Sequence, residues 1–81
     1  MSDAPIVNRV REARQARPGM TQEQLATLCG VTRQTIIAIE TGRYSPSLEL
    51  AFLLSDALES SIEELFRWEG KKRRGGAARR S

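Results

Sequence analysis

The stretch Thr21 to Glu40, TQEQLATLCGVTRQTIIAIE, constrains this 81-residue chain more than any other. Thr21 is a residue type that caps helix starts, and Gln24 stands three residues on, the spacing of a reciprocal capping box. Gly30 falls where that helix has to stop in a left-handed conformation. Thr32 can cap a second helix, and Gly42 stands just past its end. The reading is two helices, about residues 22–29 and 33–41. So little chain joins them that they must cross steeply. Leu25, Ala26 and either Cys29 or Leu28 face inward on the first, Ile36 and Ile39 on the second, with Thr35 partly covered. Val31 plugs the angle between them.

The flanking sequence supplies three more helices. Asn8 is a plausible cap for one over about residues 8–17, with Val10 and Ala13 inward, and Arg17-Pro18-Gly19 ends it. Ser47 caps another over about 48–59, whose core arc is Leu50, Leu54, Ala57 and Leu58. Leu48 and Phe52, four apart, point elsewhere and need a second surface. Ser61 with Glu64 forms a second capping box opening a helix over about 62–67, with Ile62, Leu65 and Phe66 inward. No stretch alternates at period two. The fold class is therefore all-α, a single five-helix domain over residues 8–66. Residues 1–7 are read as a frayed N-terminus and 67–81 as a flexible basic tail.

Composition excludes several functions. The single cysteine rules out an internal disulfide and a cysteine-based zinc site. Cys29 reads as a small core residue. There is no histidine, so general-base and nucleophile options shrink to carboxylates and hydroxyls. The acids stand at helix starts or on solvated faces, and there is no Gly-rich phosphate loop or metal cluster. No catalysis, cofactor, metal or small-molecule ligand is implied. No apolar run approaches the roughly 18 residues of a membrane span, and the first residues lack the pattern of a signal peptide. The expected setting is soluble and cytoplasmic.

Net charge is +3, but it is unevenly placed. Residues 1–66 hold six arginines (9, 11, 14, 17, 33 and 43) against nine acids, whereas residues 67–81 hold seven Lys/Arg against Glu69 alone. The folded part is thus net acidic, and its basic residues cluster before residue 44. One face can meet phosphates while the other repels them. The tail would add phosphate attraction without sequence preference. On the outer face of the second central helix, Arg33 and Gln34 have the chemistry for base edges. Arginine can bond both acceptors of guanine, and glutamine can pair with adenine.

The stretch from Asn8 to Phe66 resembles the Cro/repressor-type (XRE) helix-turn-helix domain. TQEQLA, GVTRQTIIAIETGRY, PSLELA and SIEELF follow one another in the order and spacing of that family. TQEQLA alone is a weak signal, but all four together are specific. The resemblance implies a bacterial or phage transcriptional regulator that binds operator DNA, usually as a symmetric dimer. It implies that Gln22 contacts a phosphate and braces the recognition helix. Thr32, Arg33 and Gln34 would reach bases or flanking phosphates, with Thr35 a cap or turn residue first and a contact second. Ala38 matches a groove-facing position one turn on, and Thr41 and Arg43 match positions that meet the backbone. Glu40 matches a structural acid, expected to hold the loop rather than DNA. Against the family pattern, the loop at Arg17-Pro18-Gly19 is one residue longer, and Glu59-Ser60 replaces a usual Gly-Val, so the fourth helix lacks its glycine stop.

One recognition helix makes too few base contacts for useful specificity, whereas two half-sites about 34 Å apart can supply it. Leu48, Phe52 and Trp68 are therefore the candidate homodimer surface. The rival reading is an antitoxin or adaptor module that uses Phe52, Trp68 and the tail to bind a protein. A weaker rival is RNA binding by the same fold.

Overall fold

Four side-chain caps set the helix starts. The hydroxyls of Thr21, Thr32, Ser47 and Ser61 accept the backbone N–H groups of Gln24, Thr35, Leu50 and Glu64 at 3.0, 3.2, 3.1 and 3.1 Å. At Thr21 and Ser61 the third helical side chain reaches back to the cap N–H, so both expected capping boxes form. The computed structural model describes residues 6–69. Its elements run β1 (Ile6–Asn8), α1 (Val10–Gln15), α2 (Gln22–Cys29), α3 (Arg33–Glu40), α4 (Leu48–Leu58), α5 (Ile62–Leu65) and β2 (Phe66–Trp68). No helix among the described residues is long and apolar enough to cross a membrane.

Gly30 ends α2 at φ +72°, and a Cβ there would meet nothing within 4 Å. Backbone conformation, not space, is what requires glycine at this point. Two N–H groups then turn back, Gly30 onto the Thr27 carbonyl at 3.2 Å and Val31 onto that of Ala26 at 3.0 Å. Val31 is half-buried against the core between the two helices.

The core draws on every helix: Val10, Leu25, Ala26, Cys29, Ile36, Ile39, Leu50, Leu54, Leu58 and Leu65. Burying a large aliphatic side chain contributes about 1.5–3 kcal/mol, against about 1 kcal/mol for a cap. Packing therefore holds the six-residue α1 and the four-residue α5 in place, since neither is long enough to persist alone. Cys29 joins this core rather than Leu28, which is exposed. Burial pushes the Cys29 thiol above its usual range, as suits an unreactive core position.

The termini depart from the all-helical reading. Ile6–Asn8 and Phe66–Trp68 form an antiparallel ribbon in the register Ile6–Trp68, Val7–Arg67 and Asn8–Phe66. The ordered domain thus extends beyond the expected 8–66 at both ends. Asn8 is a strand residue, and α1 starts at Val10 with Arg9 in the cap position. The Asn8 side chain still serves α1, because its Oδ1 accepts the Val10 N–H at 3.1 Å. Its Nδ2 donates to the Ile39 carbonyl at 2.8 Å and pins the ribbon to the end of α3. The fifth helix stops at Leu65, where the chain turns extended at Phe66 to pair with β1. Residues 1–5 and 70–81, which include most of the expected frayed end and basic tail, lie outside the described residues.

Helix α4 ends on Glu59 in the left-handed region at φ +53°, so the missing glycine stop is replaced by a non-glycine residue in the same conformation. Supporting bonds surround it. Ser60 N–H donates to the Ser55 carbonyl at 3.1 Å, and Ser55 Oγ donates to the Ser60 carbonyl at 2.5 Å. The Arg17 guanidinium reaches the Leu58 carbonyl and the Glu59 carboxylate, both at 3.5 Å. A cation at this end complements the partial negative charge of the helix terminus.

Candidate nucleic-acid interface

Helix α3 leaves the turn with its first two residues, Arg33 and Gln34, fully on the outside. Ile36 and Ile39 are completely buried on the opposite side, and this fixes the helix's rotation. Among the described residues neither Arg33 nor Gln34 makes a side-chain hydrogen bond or ion pair. Their donors are available to an external ligand. Ala38, one turn after Gln34, is half-buried, and its methyl leaves room for close approach.

Thr32 and Thr35 work as a pair. Thr32 Oγ1 accepts the Thr35 N–H, and the two hydroxyls lie 3.1 Å apart. One hydroxyl proton lies between them, and the other remains to donate outward. Thr41 is differently placed. Its hydroxyl donates back to the Ile37 carbonyl at 2.8 Å and its N–H to the same oxygen at 3.0 Å. A phosphate oxygen only accepts, so Thr41 would have to give up its helix bond to serve one. The N–H groups of Arg43 and Tyr44 both return to the Ala38 carbonyl, and of this loop the exposed Arg43 guanidinium is left as a donor.

Beneath this surface lies a buried polar hub. The Glu40 side chain, 1 % exposed, takes Arg14 Nε on Oε2 at 2.6 Å and Arg14 Nη2 on Oε1 at 3.2 Å. Gln22 Nε2 adds a bond to Oε1 at 3.1 Å. One carboxylate at the end of α3 therefore ties α1 and the first residue of α2 together. Arg14 Nη1 also donates to the Met20 carbonyl at 3.2 Å, holding the loop before α2. Glu40 was expected to hold a loop, and it does so through Arg14, which bonds it and the Met20 carbonyl of the loop before α2. A fork-to-fork pair of this kind is directional as well as strong, so it sets where α2 begins relative to α3. Gln22 is anchored, with one amide proton and its carbonyl oxygen still open.

The signal for Arg14 was weak in the sequence. It is one of four arginines in nine residues, and its partner lies 26 positions away.

Leu48 (72 % exposed) and Phe52 (58 %) share one face of α4. Trp68 (66 %) stands on β2. Glu49 and Asp56 on α4 and Glu63 and Glu64 on α5 are exposed as well.

Comparison with known proteins gives a consistent result. Residues 10–65 match the family model described as helix-turn-helix. A protein from Methanothermobacter thermautotrophicus, described as an uncharacterized HTH-type transcriptional regulator, is 61 % identical over 49 residues, covering 59 % of this chain and 71 % of that protein. One from Archaeoglobus fulgidus with the same description is 50 % identical over 58 residues, 72 % of this chain and 81 % of that one. Among solved structures, the restriction-modification controller protein C.AhdI from Aeromonas hydrophila is similar with a TM-score of 0.62 and 36 % identity, covering 68 % of this chain and 82 % of that one.

Proposed function

The chain belongs to the Cro/repressor-type helix-turn-helix family of DNA-binding transcriptional regulators, and we propose that it is a repressor that reads the major groove with α3 and binds its operator as a homodimer. The observation that carries the reading is the pair Arg33 and Gln34. They are exposed at the start of a helix whose rotation is fixed by Ile36 and Ile39 and whose position is fixed by the Glu40 hub. Side chains that read base edges must project from a rigid support, and this helix provides one. Gln22, Thr32 and Arg43 border that surface and serve the flanking phosphates. Thr35 contributes through its hydroxyl pairing with Thr32. Ala38 meets the groove by close approach, and Thr41 sits beside the backbone as a helix-end residue.

The dimer reading rests on the exposed α4 face. Among the described residues, Leu48 and Phe52 leave most of their surface uncovered within one copy. Two copies whose recognition helices lie one DNA turn, about 34 Å, apart would read two half-sites. The exposed acids of α4 and α5 keep those helices off the phosphates.

Replacing Arg33 with Ala tests the reading. Binding to the selected operator should weaken by about 1–3 kcal/mol, roughly 5- to 150-fold. Preference at one base pair of each half-site should relax, and thermal stability should hold. Equal loss on operator and random duplex would remove base readout by Arg33.

A further inference from the structure

We propose that the concavity between the β1–β2 ribbon and the α4–α5 turn is a site for a small zwitterion, an α-amino acid with an apolar side chain, and that Asn8 couples this site to the end of α3. The inference goes beyond the operator reading and uses none of its contact residues. Val7, Arg9, Ser60, Glu63, Phe66 and Arg67 line the concavity, which has a volume of about 450 Å³. Ligand sites usually span about 300–1,000 Å³. The wall comes from both ends of the fold, so no run of residues in the sequence marks it.

The charges on this wall are unevenly paired. Arg67 Nε meets Glu69 at 3.1 Å. Glu64, at the rim, accepts the Ser61 N–H on Oε1 at 2.8 Å. Arg9 and Glu63 have no side-chain hydrogen bond or ion pair among the described residues. They line one space, yet no ion pair closes between them within 4.0 Å. Opposite charges held apart in this way are bridged by a molecule that carries both. Its carboxylate meets the guanidinium fork of Arg9, and its ammonium meets the Glu63 carboxylate. Val7, 42 % exposed, and the half-buried Phe66 give the apolar wall for its side chain. An ion of one sign would leave either Arg9 or Glu63 unserved.

The link to α3 follows from strand alternation. Successive residues of an extended chain point to opposite sides. Val7 and Arg9 line the concavity, while Asn8 between them turns the other way. There its Nδ2 donates to the Ile39 carbonyl at 2.8 Å, in the last turn of the helix whose start carries Arg33 and Gln34. Its Oδ1 accepts the Val10 N–H at 3.1 Å, so both ends of the side chain are engaged. A ligand held by Arg9 and Val7 therefore acts on the residues either side of the one that pins α3. Differential contacts of this kind are what couple two sites.

The test follows amide resonances of the unchanged chain, free of DNA, during titration with L-leucine. Saturable shifts at Val7, Arg9 and Phe66 in the millimolar range support the site, and resonances that stay flat or drift without saturating overturn it. Leucinamide keeps the ammonium alone, and isocaproate keeps the carboxylate alone. Each should bind at least about tenfold more weakly than leucine, as for the loss of one hydrogen bond to a charged group. Equal binding by either analogue overturns the two-charge reading. Arg9→Gln and Glu63→Gln should each raise the half-saturating concentration by a similar factor, and an unchanged value overturns the site. The coupling is read at Glu40 and Thr41 in the same titration. Asn8→Asp keeps the acceptor for Val10 and removes the donor to Ile39, so it should keep the shifts at the site and lose those at the end of α3. Shifts confined to the site in the unchanged chain overturn the coupling. None of these readouts needs an operator, so a random pool that yields no duplex would remove the operator reading and leave them as they are.

Discussion

Helices α1 to α3 and the segment from α4 to β2 divide polar and apolar groups in opposite ways. In the first region charge goes inside, with Glu40 covered by Arg14 and Gln22, and the groups left outside include the donors Arg11, Arg33 and Gln34. In the second region the interior is wholly apolar, and what remains outside is a mixture of acids with Leu48, Phe52 and Trp68. The first arrangement fixes geometry, since a buried fork of hydrogen bonds tolerates little displacement. The second leaves apolar area to be covered by something else. On the proposed reading the comparison teaches a division of labour, one region presenting a few side chains to DNA and the other associating with a second copy.

The sharpest way to break that contrast is to replace Glu40 with Ala. Removing one partner of a buried pair costs about 3–5 kcal/mol, because Arg14 is left charged and mostly covered. Replacing the exposed Glu63 with Ala should change stability by no more than about 0.5 kcal/mol. Urea denaturation of both variants checks the pair, and equal effects would mean that the hub does not hold the first region together.

Phe52→Ala probes the other half. It should weaken dimerisation by about 2 kcal/mol, roughly 30-fold in the dissociation constant, as for a central apolar anchor. The effect on the monomer should be much smaller, since the ring lies mostly outside the core. Sedimentation over a concentration series measures it, and an unaltered monomer–dimer equilibrium would move the interface away from α4.

The smallest effect has the opposite sign. Glu59→Gly should stabilise the domain by about 1 kcal/mol, since a left-handed residue with a side chain is strained. Its pair with Arg17 is long and exposed, so little is lost with it. A higher thermal midpoint is the expected outcome, and a lower one would show that the Arg17 contact outweighs the backbone strain.

What could be read in the sequence was local. Thr21 with Gln24, Ser61 with Glu64, and Gly30 all act within four residues of their own position, so their chemistry shows in the order of residues alone. The helix faces follow for the same reason, since Ile36 and Ile39 repeat at helical spacing. The ribbon was not legible: three residues cannot display an alternation, and Ile6 meets Trp68 from the other end of the chain. The hub was half legible. Glu40 stood out as a structural acid and Gln22 as a brace for the recognition helix, but nothing marked Arg14 as the partner that joins them. Glu59 also shows this limit, because its left-handed conformation is supported by Ser55, Ser60 and Arg17, and Arg17 lies 42 positions away. In the candidate site, Arg33 and Gln34 were visible from residue type and position.

The central claim is that α3 reads base edges and that two copies do so together. Selection of bound duplexes from a random pool, with the unchanged full chain, tests both parts at once. A two-fold symmetric consensus is expected, its half-sites one helical turn apart, about 10 base pairs. A pool that stays random after repeated rounds, or an enriched site with a single unrepeated half, would contradict it.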